Sequence, residues 1–286
     1  MVFHGFNNSS FYRRIKTMTD VFPVMGFDIG GTKIAICLGM SDGTIISSTR
    51  VNNKDRDPAE VLPELVAAGK KLLADANITN LRAIGIGSPS PMDFEKGIIQ
   101  APCNMKLWVD VPIRDYLAKE FGVKTFIDND ANAAGLAEWI FGAGQGTNDM
   151  LYLTMSTGIG AGIIANGRLL RGKSYYGGEV GHMILDLKGP VCNCGLTGCY
   201  EAFCGGRAIA QRLQAELADQ PDSAIVKHAN GNVADIDMRA LEFAVRDGDE
   251  YACKVWDEMV ERNAQAMGML LNIFNPGIIA LGTIAV

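Results

Sequence analysis

No run of 18 apolar residues occurs in the 286-residue chain, so a membrane-spanning helix is not expected. The uncharged stretch from Met150 to Gly167 is broken by Thr154, Ser156, Thr157, Asn166 and repeated glycines. A secretory signal is also missing, because Arg13, Arg14 and Lys16 are followed by no apolar core segment. Basic residues are in the minority, with 26 Lys plus Arg against 32 Asp plus Glu and a formal charge of −6. They form no stripe, which argues against a nucleic-acid partner. Hydrophobic residues at 48% and charged residues at 20% are ordinary globular values. They exclude a disordered or collagen-like chain.

Cysteine is present but wrong for a disulfide framework. There are seven, an odd count, and three fall within the eight residues from Cys192 to Cys199. In a chain without an export signal this clustering reads as metal binding in a reducing compartment, most simply a cytoplasm. Glycine is the residue in excess, 33 of 286, about 12% against the usual ~7%.

Residues 1–23 read as a disordered leader, with Asn7, Asn8, Ser9 and Ser10 in a row and no sustained period; Met18 or Met25 would serve as alternative starts. From Val24 the pattern becomes regular. Val24–Asp28 is a short apolar strand, Gly30-Gly31-Thr32 turns the chain, Ile34–Leu38 is a second strand, and Asp42-Gly43 is a hairpin signal into Ile45-Ile46. The same arrangement recurs with Leu151–Leu153, Thr157-Gly158, Ala161–Ala165 and the hairpin signal Asn166-Gly167. A repeated strand–turn–strand–hairpin unit predicts two related α/β lobes, 24–145 and 146–286.

The first lobe continues with a helix from Pro58 to about Ala76, whose apolar face is Leu62, Leu65, Val66, Leu72 and Leu73. Ala83–Gly87 is a buried strand. A helix is expected after Asp110 as N-cap, with Pro112 in its first turn. Lys124–Asp128 is a strand leading directly into a helix through Phe141. The second lobe inserts a cysteine-rich loop and several helices before a last strand from Gly277, so by the chain's own symmetry it is expected to be incomplete. Met259, Met267 and Met269 read as core filler, and Cys37, Cys103, Cys204 and Cys253 as small core residues.

Four groups of residues carry chemistry. Asp28-Ile29-Gly30-Gly31-Thr32-Lys33 sets a carboxylate at a strand end and glycines in the following turn. Without side chains to block the approach, backbone N–H groups can close on phosphate oxygens, although an ordinary glycine hairpin would look the same. The run has neither the P-loop nor the dinucleotide-binding glycine pattern. Ser156-Thr157-Gly158-Ile159-Gly160-Ala161-Gly162 places a second such turn at the matching point of the other lobe, and the pair favours a nucleotide. Asp128-Asn129-Asp130-Ala131-Asn132 lies between a strand's C-terminal end and a helix, where α/β sheets bind ligands. There Asp130 could accept a proton from a substrate hydroxyl, or could simply cap the helix. Finally, Cys192-x-Cys194-x4-Cys199 with His182 offers three thiolates and one imidazole, a donor set for structural zinc with no open position; it is favoured over buried free thiols because Gly195 and Gly198 let the loop fold around an ion. Glu179 and Glu201 flank that set.

These residues resemble the ROK family, bacterial sugar kinases and sugar-responsive repressors of the actin-like ATPase (ribonuclease H-like) fold. The resemblance is carried by Asp28–Lys33, Asn129–Asn132, Thr157–Gly162, Glu179-Val180-Gly181-His182 and Cys192-x-Cys194-Gly195-x-x-Gly198-Cys199-x-Glu201, in the family's order. It implies a two-lobed fold with a zinc loop in the second lobe and ATP-dependent phosphorylation of a hexose, most simply glucose at its 6-OH. N-acetylmannosamine, N-acetylglucosamine and fructose stand behind glucose.

By that resemblance Asp130 is the catalytic base. Asn104, Asn129, Glu179, His182 and Glu201 hold the sugar, and His182, Cys192, Cys194 and Cys199 bind Zn²⁺. Asp28, Gly30, Gly31, Thr32, Lys33, Thr157 and Gly158 face ATP and its Mg²⁺. A homodimer is implied, with no nucleic acid or membrane partner. Ser90, Ser156 and Gly282-Thr283-Ile284 depart from the usual glycines, and relatives continue beyond the position of Val286, so a clipped reading of a kinase gene is expected. The readings of another class are a non-catalytic sugar-binding remnant and a sugar-responsive regulator. The regulator would need a helix-turn-helix domain ahead of Val24.

Overall fold

The computed structural model describes residues 20–283. Residues 1–19 of the expected leader 1–23, and Ile284 to Val286, lie outside the described residues, and the first strand already begins at Pro23, inside that leader. The chain divides into two compact units, with the boundary between Gly142 and Ala143.

The first unit is built on a five-stranded sheet. Its strands are β1 (Pro23–Ile29), β2 (Lys33–Met40), β3 (Ile45–Asn52), β4 (Ala83–Ser88) and, after a two-stranded β5 (Met92–Asp93) and β6 (Ile98–Ile99) ribbon, β7 (Lys124–Asn129). The order is β3-β2-β1-β4-β7. The hairpin-linked strands β1, β2 and β3 run antiparallel, whereas β1–β4 and β4–β7 are parallel and need crossover connections. Alternation decides which face is buried: Met25, Phe27 and Ile29 of β1 and Ile34, Ile36 and Leu38 of β2 are all at most 2% exposed.

The helix α1 (Pro58–Asp75) covers this face with Val61, Leu62, Leu65, Val66 and Leu72. Each such side chain contributes about 1.5–3 kcal/mol when fully removed from water. Its start follows from sequence: Asp57 accepts the Ala59 N–H at 2.8 Å and Pro58 sits in the first turn. The second helix, α2 (Ile113–Phe121), does not start as expected. Asp110 has φ +50°, and Val111 pairs with Ile99, so Pro112 occupies the cap position without a side-chain hydrogen bond. The long-range bridge has won over the local cap. The last helix of the unit, α3 (Asp130–Phe141), follows β7 with no intervening loop.

The second unit repeats the beginning of the first. Its strands β8 (Met150–Met155), β9 (Ile159–Ala165), β10 (Arg168–Leu169) and β11 (Ile278–Thr283) are ordered β10-β9-β8-β11. The β9–β10 turn is Asn166-Gly167, both at positive φ, as a two-residue hairpin requires. Strand β8 pairs antiparallel with β9 and parallel with β11, as β1 does with β2 and β4. Between β10 and β11 come a 3₁₀ turn (Val180–His182), the cysteine loop, and helices α4 (Tyr200–Cys204), α5 (Gly206–Glu216), α6 (Ala224–His228), α7 (Met238–Arg246) and α8 (Glu250–Phe274).

Met259 and Met267 of α8 pack against the unit's cores as filler. Of the cysteines expected in the core, Cys204 is buried, Cys37 and Cys253 are half-buried and Cys103 is exposed. Cys103 lies in an irregular loop, where neighbours in sequence do not predict neighbours in space. No helix among the described residues is long and apolar enough to cross a membrane.

Candidate functional site

In the first unit the turn after β1 is closed by its neighbours. A Cβ on Gly30 would meet the Lys33 carbonyl oxygen at 2.8 Å, and one on Gly31 would meet that of Asn104 at 2.5 Å. Only glycine fits at either place. The turn is also clamped by Asn53, a buried amide missed by the sequence reading. Asn53 Nδ2 donates to the Gly30 carbonyl at 2.7 Å and its backbone N–H to that of Thr32 at 2.9 Å. Its Oδ1 accepts from Trp108 Nε1 at 3.2 Å. The structure thus brings Asn104, Gly30 and Gly31 together, with Asp28 at the end of β1 and Lys33 close enough for its charge to act on Asp28.

Asp130 begins α3, but the cap is Asn129. Asn129 Oδ1 accepts the N–H groups of Ala131 (2.9 Å) and Asn132 (3.3 Å), and its Nδ2 donates to Ser90 Oγ at 3.2 Å. An amide has two donor hydrogens, so one N–H of Asn129 remains for a ligand. Asp128 braces the same turn, accepting the Asn129 N–H at 2.9 Å and Asn132 Nδ2 at 3.0 Å. Ser90 and the Asp128–Asn132 pair are supporting groups to which the sequence reading gave no role.

The Asp130 carboxyl reaches solvent yet is crowded by protein. Desolvation raises its pKa above the ordinary carboxylate value; the Ala131 N–H offsets part of the rise and the Asp28 charge adds to it. A carboxylate destabilised in this way is a stronger proton acceptor.

In the second unit the Ser156–Ile159 turn is tied to the start of α5. The Gly206 N–H donates to the Ser156 carbonyl at 2.9 Å and the Arg207 N–H to that of Thr157 at 3.1 Å. Glu201 Oε2 accepts the Ile159 N–H at 2.7 Å and occupies the space that a Cβ on Gly158 would need. Thr157, Gly158 and Glu201 therefore form one assembly.

His182, Cys192, Cys194 and Cys199 bring one ligand atom each to within 4.8 Å of one another. His182 Nδ1 lies 3.7 Å from Cys192 Sγ, and Cys194 Sγ lies 3.6 Å from Cys199 Sγ. The edges of a tetrahedron with zinc-type bond lengths are about 3.6–3.8 Å, so the set could hold such an ion with no position left open. Gly195 and Gly198, both at positive φ, let the loop fold back on itself. Burial, together with the neighbouring sulfurs, pushes the Cys199 thiol up to about 12; a bound cation would reverse that preference.

Glu179 is half-buried and precedes the 3₁₀ turn, its carbonyl accepting the His182 N–H at 3.1 Å. The loop is latched to α8, where Arg262 reaches Asp186 at 3.1 Å and lies 4.4 Å above the Phe203 ring.

The ROK family model matches residues 24–284. The chain is 36% identical over 263 residues to a glucokinase of Thermotoga maritima, covering 91% of this chain and 81% of the relative. It is 31% identical over 284 residues to a xylose repressor of Caldicellulosiruptor bescii, covering 97% and 70%. Among solved structures, a ROK hexokinase from Thermus thermophilus superposes with a TM-score of 0.78 at 36% identity, covering 91% of this chain and 81% of that one. A ROK family glucokinase from Streptomyces griseus, in complex with glucose and AMPPNP, gives 0.74 at 29% identity, covering 91% and 82%.

Proposed function

The chain belongs to the ROK family and has its actin-like ATPase fold, and from that premise we propose that it is an ATP-dependent hexose kinase acting on the 6-OH of glucose. The observation that carries this reading is Asp130: a carboxyl at the end of a parallel strand, braced by Asn129 and Asp128 and held above its ordinary pKa. The glucokinases among the relatives support glucose as the sugar; N-acetylmannosamine, N-acetylglucosamine and fructose are the alternatives.

In the reaction the hydroxyl oxygen attacks the γ-phosphorus of ATP and the bond from that phosphorus to the bridging oxygen breaks. Asp130 orients the hydroxyl and takes its proton late, since the transition state is loose and positioning dominates. The free N–H of Asn129, with Asn104, Glu179, His182 and Glu201, grips the sugar hydroxyls. The glycine turns at Gly30–Lys33 and Thr157–Gly158, with Asp28, face the triphosphate.

Mg²⁺ would neutralise phosphate charge on the Asp28 side. The four ligands His182, Cys192, Cys194 and Cys199 fit structural Zn²⁺. With Nδ1 turned to the cysteines, His182 keeps Nε2 for a sugar hydroxyl. In this reading the kinase draws its ATP from the cytoplasm.

The test is ADP release by the purified chain with MgATP and a panel of hexoses, with Asp130→Asn as control. Hexose-dependent turnover abolished in the control is expected, and the panel names the sugar. A chain that binds a hexose but never consumes ATP would overturn the kinase reading in favour of a sugar sensor.

A further inference from the structure

Glu201 is assigned above to the sugar, but its carboxylate is already committed to a second task. Oε2 accepts the Ile159 N–H at 2.7 Å across 42 residues of sequence. Gly158 lacks a side chain at the point where that carboxylate lies. Two further bonds join the same segments, Gly206 to Ser156 and Arg207 to Thr157. Gly181 packs against the same residue, since a Cβ there would collide with the Ile159 carbonyl. One residue of β9 is therefore contacted both by Glu201, two positions after Cys199, and by Gly181, one position before His182.

We propose that Glu201 is a positioning residue for the nucleotide, fixing the Thr157–Gly158 turn to the cysteine loop whether or not a sugar is bound. The proposal deepens the kinase reading and rests on it for the word nucleotide, but the positioning itself does not. The physical ground is the geometry of acceptor and donor. A charge-assisted bond to a backbone N–H is short and strong, and this one ties the start of β9 to α4. Losing it frees the turn at its β9 end, and a phosphate-binding turn must be ordered before the ligand arrives.

The experiment compares Glu201→Gln with Glu201→Ala. The carboxamide oxygen of glutamine can accept the same N–H, whereas alanine cannot. Amide hydrogen exchange of residues 156–160 is measured in the ligand-free chain. The expected result is exchange about tenfold faster or more in Glu201→Ala and close to wild type in Glu201→Gln. In a second arm MgAMPPNP binding is measured without sugar, and the alanine variant should weaken it by about tenfold while the glutamine variant retains it.

Should Glu201→Ala fail to fold, Glu201→Asp replaces it, because its carboxylate is one methylene too short. Unchanged exchange in the variant lacking the acceptor would overturn the proposal, as would equal acceleration in Glu201→Gln. A wild-type chain that shows the expected exchange pattern but binds no MgAMPPNP would leave the positioning intact and sink the kinase reading instead.

Discussion

The backbone oxygen of Asn104 lies 2.5 Å from the position a methyl group on Gly31 would take. The loop proposed to hold the sugar thus rests directly on the turn proposed to hold the phosphates. Gly31→Ala must push the two apart, at about 1–3 kcal/mol of stability. A displacement of about 1 Å in a positioning loop is worth about 100-fold in rate. Steady-state kinetics should show kcat/KM falling by that order. Gly85→Ala is the control, since nothing lies within 4 Å of its added methyl, and it should leave the kinetics alone.

Asp130 ties stability and activity to pH in opposite directions. Its pKa is raised in the folded chain, chiefly by desolvation, so the native state holds the proton more tightly than the unfolded state. Stability therefore falls as pH rises from the ordinary carboxylate value, about 3.9, through the raised native value, and the full penalty persists above it. Asp130→Asn should melt at a higher temperature than wild type near neutral pH. The advantage should shrink as the pH is lowered below the ordinary carboxylate value. The same substitution should reduce kcat by about 10²–10⁴-fold. The acid limb of the wild-type rate profile should lie above the normal aspartate range. Paired thermal melts and rate profiles across pH check both signs.

Much of the fold follows from local pattern. The alternation Met25, Phe27, Ile29 declares a half-buried strand, Asp57-Pro58 declares a helix start, and the Asn166-Gly167 turn repeats the layout of the first unit. The cysteine spacing likewise brings four metal-type ligands together. What local pattern could not supply is any feature set by distant partners. Asp110 has the chemistry of a cap, yet the Val111–Ile99 bridge takes its backbone elsewhere. Asn53 follows another asparagine at the end of β3, and nothing marks it out until Gly30 and Trp108, 23 and 55 residues away, close around it.

That clamp is the next test. Asn53 is 2% exposed, so Asn53→Ala strands Trp108 Nε1 and the Gly30 carbonyl, at about 1–3 kcal/mol for each group left unpaired. Denaturant unfolding should register the loss. Asn53→Asp keeps an acceptor for Trp108 but sets a carboxylate against the Gly30 carbonyl. Its melting temperature should fall as well, and the ATP KM of both variants should rise through disorder of the glycine turn.

The metal reading makes its own demand on the purified chain. Three sulfurs and one imidazole nitrogen within 4.8 Å form a closed set, so elemental analysis should find zinc at a single ion per chain. Cys194→Ser removes a ligand and should lower the metal content towards zero, together with the melting temperature, because ion binding and loop folding are the same event. Cys253→Ser, on α8 and outside the set, should retain the ion. Adding a strong chelator to the wild-type chain should make three further thiols reactive towards a disulfide reagent: Cys192 and Cys199, which are buried, and Cys194. A chain that contains no zinc and keeps its melting temperature in Cys194→Ser would show that the four side chains hold the loop without an ion.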